Sequence, residues 1–124
     1  MMTRNVGIVR NNKDLTAADL ELQNYQERWH HIGMVDSNAY SNQTVMFVKQ
    51  LKNMMELARV ITIGALNRNE SRGAHYKPEF PERNDNEYLK TTKAFYTEDG
   101  PRLELEDVDT SLLEPVKRTY GGSK

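Results

Sequence analysis

"MMELARVITIGAL", residues 54–66, runs directly into "NRNESRGAH", residues 67–75, and the reading of this junction decides the fold. The first part is an apolar helix. Phe47, Leu51, Met54, Ala58, Ile61 and Ala65 recur in alternating steps of four and three, which draws one stripe along a helix from about residue 42 to residue 71. Ser41 or Asn42 can cap its start, and Gly73 is a natural stop. Leu57, Val60 and Ile63 lie off that stripe, so the second half is apolar nearly all round. A helix of that kind is covered on two sides. The cover is either the chain's own C-terminal region or a second domain.

Upstream, Leu15, Ala18, Leu22, Tyr25, Trp29 and Ile32 alternate in the same way over residues 15–32. Asp14 or Thr16 can cap this helix, and Gly33 can end it. The two stripes predict antiparallel neighbours in a bundle, with Trp29 and Phe47 sharing a core with Leu22, Leu51 and Met54. Residues 2–10, "MTRNVGIVR", place Met2, Val6 and Val9 at helical spacing around a weakening Gly7. This reads as the end of a helix whose beginning is absent.

Downstream, "KPEFPER" is extended because of its two prolines. Asn84 with Glu87 forms a capping-box-like start for one or two helical turns. "TKAFYTEDGPRLELED", residues 92–107, reads as two short strands around Asp99–Gly100. Pro101 lacks an N–H, so the connection should exceed two residues. The fold class expected is mainly α: a three-helix up-and-down bundle, spectrin-repeat-like, with a truncated first helix, a small C-terminal β-hairpin and an extended tail. Its single domain divides into a bundle over about 1–72, a loop, short helix and strand pair over about 73–108, and a tail over 109–124.

Composition narrows the function. At 124 residues with a formal net charge of −1, the chain fits one domain and carries no electrostatic footprint for nucleic acid. Roughly a fifth of its residues are Leu, Ile, Val or Phe, close to the ~20% level below which cores fail, so the core should be thin. The absence of cysteine excludes disulfides and thiolate metal sites. No apolar run is long enough for a membrane span or a signal core, so direct membrane insertion is not expected. His30 and His31 are adjacent and would point apart on a helix, so they cannot share a metal. Ser71 and His75 lack an orienting acid for a triad. Gly73 stands alone, without the glycine cluster of a phosphate or dinucleotide turn. No catalytic, metal or cofactor-binding residue is assigned.

Arg68 and Arg72, four apart, would share a helix face near its C-terminus, with Glu70 between them. This is either a solvated helix end or an interface; catalysis by Glu70 with His75 is the weakest of the three readings. The residues then acquire a pattern. "LARVITIGALNRNESRGAHYKPEFPERNDNEYLKTT", residues 57–92, resembles the C-terminal domain of the flavoprotein subunit of succinate dehydrogenase and fumarate reductase. The motif positions are Arg68, Glu70, Ser71, Arg72, Gly73, Ala74 and His75, then Pro81, Arg83 and Asp85. "NVGIVRNNKDL", "ERWHHI" and the ending "PVKRTY" extend the resemblance over almost the whole chain. Glu-Ser-Arg-Gly is shared with L-aspartate oxidase; the Lys-Arg-Thr-Tyr ending favours the dehydrogenase and reductase.

The resemblance implies a parent that transfers a hydride between succinate or fumarate and FAD, with an iron–sulfur partner subunit. It implies a cytoplasmic location, peripheral on the inner face of the membrane through partner subunits. The family's glycine-rich dinucleotide region, covalent FAD histidine and substrate-binding residues have no counterpart here, so the chain looks like a fragment beginning inside the first bundle helix. The alternative readings are the same domain of L-aspartate oxidase, or a free-standing helical interaction module. Arg68, Glu70, Arg72, His75 and Arg83 are the expected interface to the remaining domains. In this chain alone they should be at least partly exposed, and Arg72→Ala should barely change stability.

Overall fold

The computed structural model describes residues 1–116; most of the "PVKRTY" ending and the Gly-Gly tail lie outside the described residues. Its elements are α1 (Met2–Asn5), α2 (Asn12–Trp29), α3 (Gln43–Asn67), α4 (Asp85–Tyr88), β1 (Lys90–Phe95) and β2 (Arg102–Asp107). The architecture is mainly helical, with an antiparallel two-stranded hairpin.

The long helices form where the apolar spacing predicts. α2 starts earlier than expected, because Asn11 is its N-cap: the Asn11 Oδ1 accepts from the Asp14 backbone N–H at 2.8 Å. The Asn11 Nδ2 donates back to the Asp14 carboxylate at 2.8 Å, closing a reciprocal cap. α2 ends at Trp29, before Gly33, in a loosening turn where His31 and Ile32 N–H groups bond carbonyls three residues back. Asn42 caps α3 by accepting from the Val45 N–H at 3.2 Å. The helices run antiparallel. Trp29 Nε1 donates to the Val48 carbonyl at 2.9 Å, Gln26 Nε2 to Glu56 at 2.9 Å, and Arg59 Nε to Asp19 at 3.0 Å.

The face on which α3 meets α2 differs from the expected stripe. The buried positions of α3 are Met55, Thr62 and Ala65, of which Ala65 lies on that stripe and joins Leu15 and Ala18 of α2 in the core. Phe47 is 62% exposed, and Leu51, Met54 and Ile61 are exposed with it. The reason lies in Thr62, which an apolar count skips. Its hydroxyl donates to the Ala58 carbonyl at 2.8 Å, so the residue is buried without an unmet polar group.

Helix α1 is a single turn, and the expected helix over 2–10 stops at Asn5. Gly7 stands so close to the preceding turn that a Cβ there would lie 2.9 Å from the Thr3 carbonyl oxygen. Beyond it the chain extends and pairs with residue 76: Arg10 N–H donates to the Tyr76 carbonyl at 2.9 Å, and Tyr76 N–H to the Ile8 carbonyl at 3.2 Å. Val6 from this segment joins Leu15, Ala18 and Ala65 in the core, with Met2 and Leu66 against it.

The hairpin pairs Lys90 with Asp107 through Phe95 with Arg102. Its connection, residues 96–101, exceeds two residues, as Pro101 requires. Gly100 has φ 125°, and the Arg59 guanidinium lies 3.0 Å from where its Cβ would be. Arg59 therefore seats the hairpin loop against the helices while paired with Asp19. The hairpin side of α3 carries Val60, Ile63 and Gly64, all half-buried. The chain's own C-terminal region thus covers one flank of α3 and leaves another bare.

Burial ranks the side chains for a test. Leu15 is fully buried, so Leu15→Ala should cost about 2–5 kcal/mol. Phe47→Ala should stay within ~0.5 kcal/mol, as for exposed positions generally. Denaturant midpoints of the two variants decide; a larger loss for Phe47→Ala would restore the heptad-like stripe as the core.

Candidate functional site

Helix α3 ends at Asn67, and Arg68 is already extended, with φ −97° and ψ 94°. Arg68 and Arg72 therefore do not share a helix face; they converge from a loop. Gly73, at φ 58°, opens a two-residue turn closed by Arg72 N–H to the His75 carbonyl at 2.8 Å and His75 N–H to the Arg72 carbonyl at 3.0 Å. Ser71 staples the next segment. Its Oγ accepts from the Lys77 N–H at 3.0 Å and donates to the Phe80 carbonyl at 2.7 Å. With its proton engaged and no bond to His75, Ser71 is a structural hydroxyl.

This folding brings four charged groups, Arg68, Arg72, Arg83 and Asp85, around one carboxylate. Glu70 is fully buried. Its Oε1 accepts from Arg68 Nη1 at 2.5 Å and Arg72 Nε at 2.9 Å; its Oε2 accepts from Arg72 Nη2 and the Asn84 N–H, each at 3.0 Å. The Arg72 fork is bidentate, the strongest geometry for such a pair. Its Nη2 also donates to Asp85 Oδ1 at 2.6 Å, and Asp85 Oδ2 accepts from Arg83 Nη2 at 2.6 Å. Arg68 reaches on to the carbonyls of Tyr88 at 2.9 Å and Lys90 at 2.6 Å, with its guanidinium over the Tyr88 ring. One network therefore ties the end of α3, the turn, the cap of α4 and the start of β1.

The electrostatics follow from the geometry. Burial alone would push the Glu70 carboxyl up, but Arg72, the Asn84 N–H and Arg68 outweigh it and hold it below the usual range. Hydrogen bonding from Arg72, then Arg83, holds Asp85 low as well. The Arg72 guanidinium is shifted upward by its bonds to Glu70 and Asp85, against its own burial.

Beside this clasp His75 meets two basic residues that the sequence did not announce, Arg10 and Lys77. His75 Nδ1 faces Arg10 Nη1 at 2.9 Å, and its Nε2 faces the Arg68 carbonyl at 2.9 Å. Arginine can only donate, so Nδ1 accepts and Nε2 carries the proton. The ring is thus neutral; burial first, then Arg10, Lys77 and Arg68, lower its pKa. Lys77 is also fully buried, donating to the Leu66 carbonyl at 3.0 Å and Asn69 Oδ1 at 3.1 Å. It caps the C-terminal carbonyls of α3, where a cation is favoured. Burial, with Arg10 nearby and Glu79 opposing, lowers its pKa to about 8.

The structure joins Arg68, Glu70, Arg72 and Arg83 in one network and sets His75 against its edge. The expectation of exposure fails at Glu70; Arg68, Arg72 and Arg83 keep 16, 27 and 24% of their side chains in water. Asp85 was in the motif, but its bridging role needed the fold. Arg10, Lys77 and the Asn84 backbone carried no signal, because their spacing to the clasp is set by the loop path. Among the described residues, no group of three or more His, Cys, Asp or Glu is placed to hold a metal. Each oxygen of Glu70 and both ring nitrogens of His75 are engaged, so the arrangement holds shape and offers no free base.

A family model described as "Fumarate reductase flavoprotein C-term" matches residues 1–120. The succinate dehydrogenase flavoprotein subunit of Bacillus subtilis is 52% identical over 99% of this chain and 21% of its own length. The fumarate reductase flavoprotein subunit of Haemophilus influenzae is 35% identical over 98% of this chain and 20% of its own length. The chain thus spans about a fifth of the length of these curated relatives. Among solved structures, a chain of the quinol fumarate reductase of E. coli superposes with a TM-score of 0.90, at 33% identity, over 99% of this chain and 22% of that one.

Two outcomes follow from the clasp. Arg72→Ala strips Glu70 of two of its four bonds and leaves a buried carboxylate, so it should cost about 3 kcal/mol, not the near-zero of an exposed pair. Arg83→Ala, at the wetter edge, should cost under ~1 kcal/mol. Thermal melts of both compare them; equal small shifts would mean Glu70 is not held as drawn. The second outcome concerns alkaline pH. The folded Lys77 gives up its proton near pH 8, whereas the unfolded side chain holds it to the ordinary lysine value of 10.5. The unfolded state binds more protons between these values, so stability should rise with pH across that window. Denaturant unfolding of the protein minus that of Lys77→Met isolates the rise, and a flat difference would remove it.

Proposed function

We propose, from the premise that the chain belongs to the fumarate reductase flavoprotein C-terminal family, that it packs against the flavin and capping domains of such a flavoprotein. It is the helical C-terminal domain of a succinate dehydrogenase or fumarate reductase flavoprotein subunit. The observation that carries the reading is 52% identity to the Bacillus subtilis subunit across 99% of this chain. The parent flavoprotein transfers a hydride between succinate or fumarate and FAD and passes electrons to an iron–sulfur subunit. It is cytoplasmic and sits on the inner face of the membrane through its partner subunits. Among the described residues, no helix is long and apolar enough to cross a membrane.

The flavin belongs to another part of that polypeptide. A dinucleotide site of the usual kind needs a parallel strand, a glycine-rich turn and a helix N-terminus. The described sheet here is one antiparallel hairpin, and its loop glycine seats an arginine. These residues do not fit FAD, so no step of the chemistry runs through them. The chain's share is mechanical: it presents a rigid surface, with the rim of the clasp at Arg72, His75 and Arg83, backed by Arg68 and Glu70, turned toward the neighbouring domains.

The purified chain should be colourless and should not oxidise succinate with an artificial electron acceptor; a flavin absorption band on the protein would overturn this assignment. The positive test is a chimera in which this chain replaces the matching fifth of the Bacillus subtilis subunit. It should retain FAD and succinate oxidation, whereas the same subunit truncated before that region should lose both. A chimera no better than the truncation would end the proposal.

A further inference from the structure

Helix α3 wears its polarity inside out. Its charged residues from Lys49 onward, Lys49, Lys52, Glu56 and Arg59, fall on one flank by the 100° step of an α-helix. Lys52 lies over the Trp29 ring, Glu56 bonds Gln26 and Arg59 pairs with Asp19. Three of the four thus turn toward α2. On the far side run Phe47, Met54, Leu57 and Ile61, spaced seven, three and four, at 62, 65, 63 and 52% exposure. The stripe is about 21 Å long at 1.5 Å per residue. A helix whose outer face meets water carries its charges there. This one turns three of its four charges toward α2 and leaves outside an uncharged, largely apolar face, with Gln50 exposed among the apolar side chains.

We propose that this stripe is the docking face of the domain, and that its occupant is the remainder of the same flavoprotein polypeptide. This rests on the domain reading above. Three observations select that occupant. The relatives hold this region as about a fifth of one chain, so most of the polypeptide lies outside it. The stripe has no charge of its own to steer a separate partner, and a covalently joined one needs none, because connection supplies a high effective concentration. A second copy fits poorly: four side chains on one helix are few beside the roughly 20–30 residues a side of a stable interface. Within one polypeptide the stripe need only be one part of a larger contact.

The chain contains no cysteine, so single thiols report the face cleanly. Leu57→Cys and, as a second probe, Ile61→Cys are placed on the stripe, with Lys49→Cys on the charged flank as control. Each is labelled with a maleimide, in the isolated chain and in the Bacillus subtilis chimera, and read by peptide mass spectrometry. In the chimera, labelling of the two stripe positions should slow roughly tenfold or more, while Lys49→Cys changes less. Equal rates at the stripe in a chimera that retains FAD would overturn the docking face and leave the domain assignment standing. Loss of FAD from the unsubstituted chimera would instead sink the domain assignment. Protection already present in the isolated chain and lost on dilution would assign the face to a second copy. Protection arising only when the iron–sulfur subunit is added would assign it to that subunit. Either result ends the proposal.

Discussion

The rest of this structure depends on the carboxylate of Glu70. A buried carboxylate without partners costs several kcal/mol, and the usual escape is protonation. Here four donors converge on its two oxygens, three from Arg68 and Arg72 and one from the Asn84 backbone. The partners come from three places in the chain: just past α3, inside the turn, and the cap of α4. Such a site adds little net energy relative to an apolar core of the same volume, but it tolerates one arrangement only. That is its use in a chain with a thin core. Among the described residues the buried apolar side chains are Val6, Leu15, Ala18, Leu22, Met55 and Ala65, and hydrophobic packing of that size does not fix where α4 and the hairpin sit. The Arg68 guanidinium does so by bridging Glu70 to the carbonyls of Tyr88 and Lys90.

What could be read from the sequence was whatever depends on neighbours a few residues apart. α2 and α3 follow from periodicity, the start of α4 from Asn84 with Glu87, and the hairpin with its long loop from Asp99–Gly100–Pro101. The failures share a cause as well. The end of α3 was placed near Gly73 because glycine is a stop signal, but glycine is equally the residue for a tight turn, and here it opens one. The helix had already ended where Arg68 left it to reach Glu70. The expected helix over residues 2–10 gave way to a backbone pairing with Tyr76, a partner too distant in sequence for any local rule. The inner face of α3 was misassigned because Thr62 counts as polar until its hydroxyl is seen bonded to Ala58.

The site residues divide along the same line. Arg68, Glu70, Arg72, His75 and Arg83 were found as a dense motif, and the structure does gather the arginines around Glu70. Their relation was not legible, because charge spacing cannot distinguish residues awaiting a partner from residues already satisfied. Lys77 and Arg10 were missed outright. A lysine before a proline looks like an exposed loop residue. It is buried only because the turn folds it back onto the last carbonyls of α3, where the helix dipole offsets part of its desolvation.

These facts bear on how such a domain recognises anything. A polar motif invites the idea that polar groups make the contact. Yet a donor already committed to a buried acceptor can serve a new partner only by abandoning the old one, and that leaves an unpaired charge behind. The clasp is therefore poorly suited to supply most of the binding energy at an interface, although its wetter rim can set orientation. Large uncommitted apolar surface is what drives lasting association, and in this chain a stripe of it, Phe47, Met54, Leu57 and Ile61, lies along α3. The two features are complementary. The clasp fixes α3 relative to the turn and hairpin, so the outer face of that helix is held in one orientation before it meets its partner. Preorganisation of this kind lowers the ordering cost of association, and it gives a densely charged motif a reason to exist without chemistry of its own.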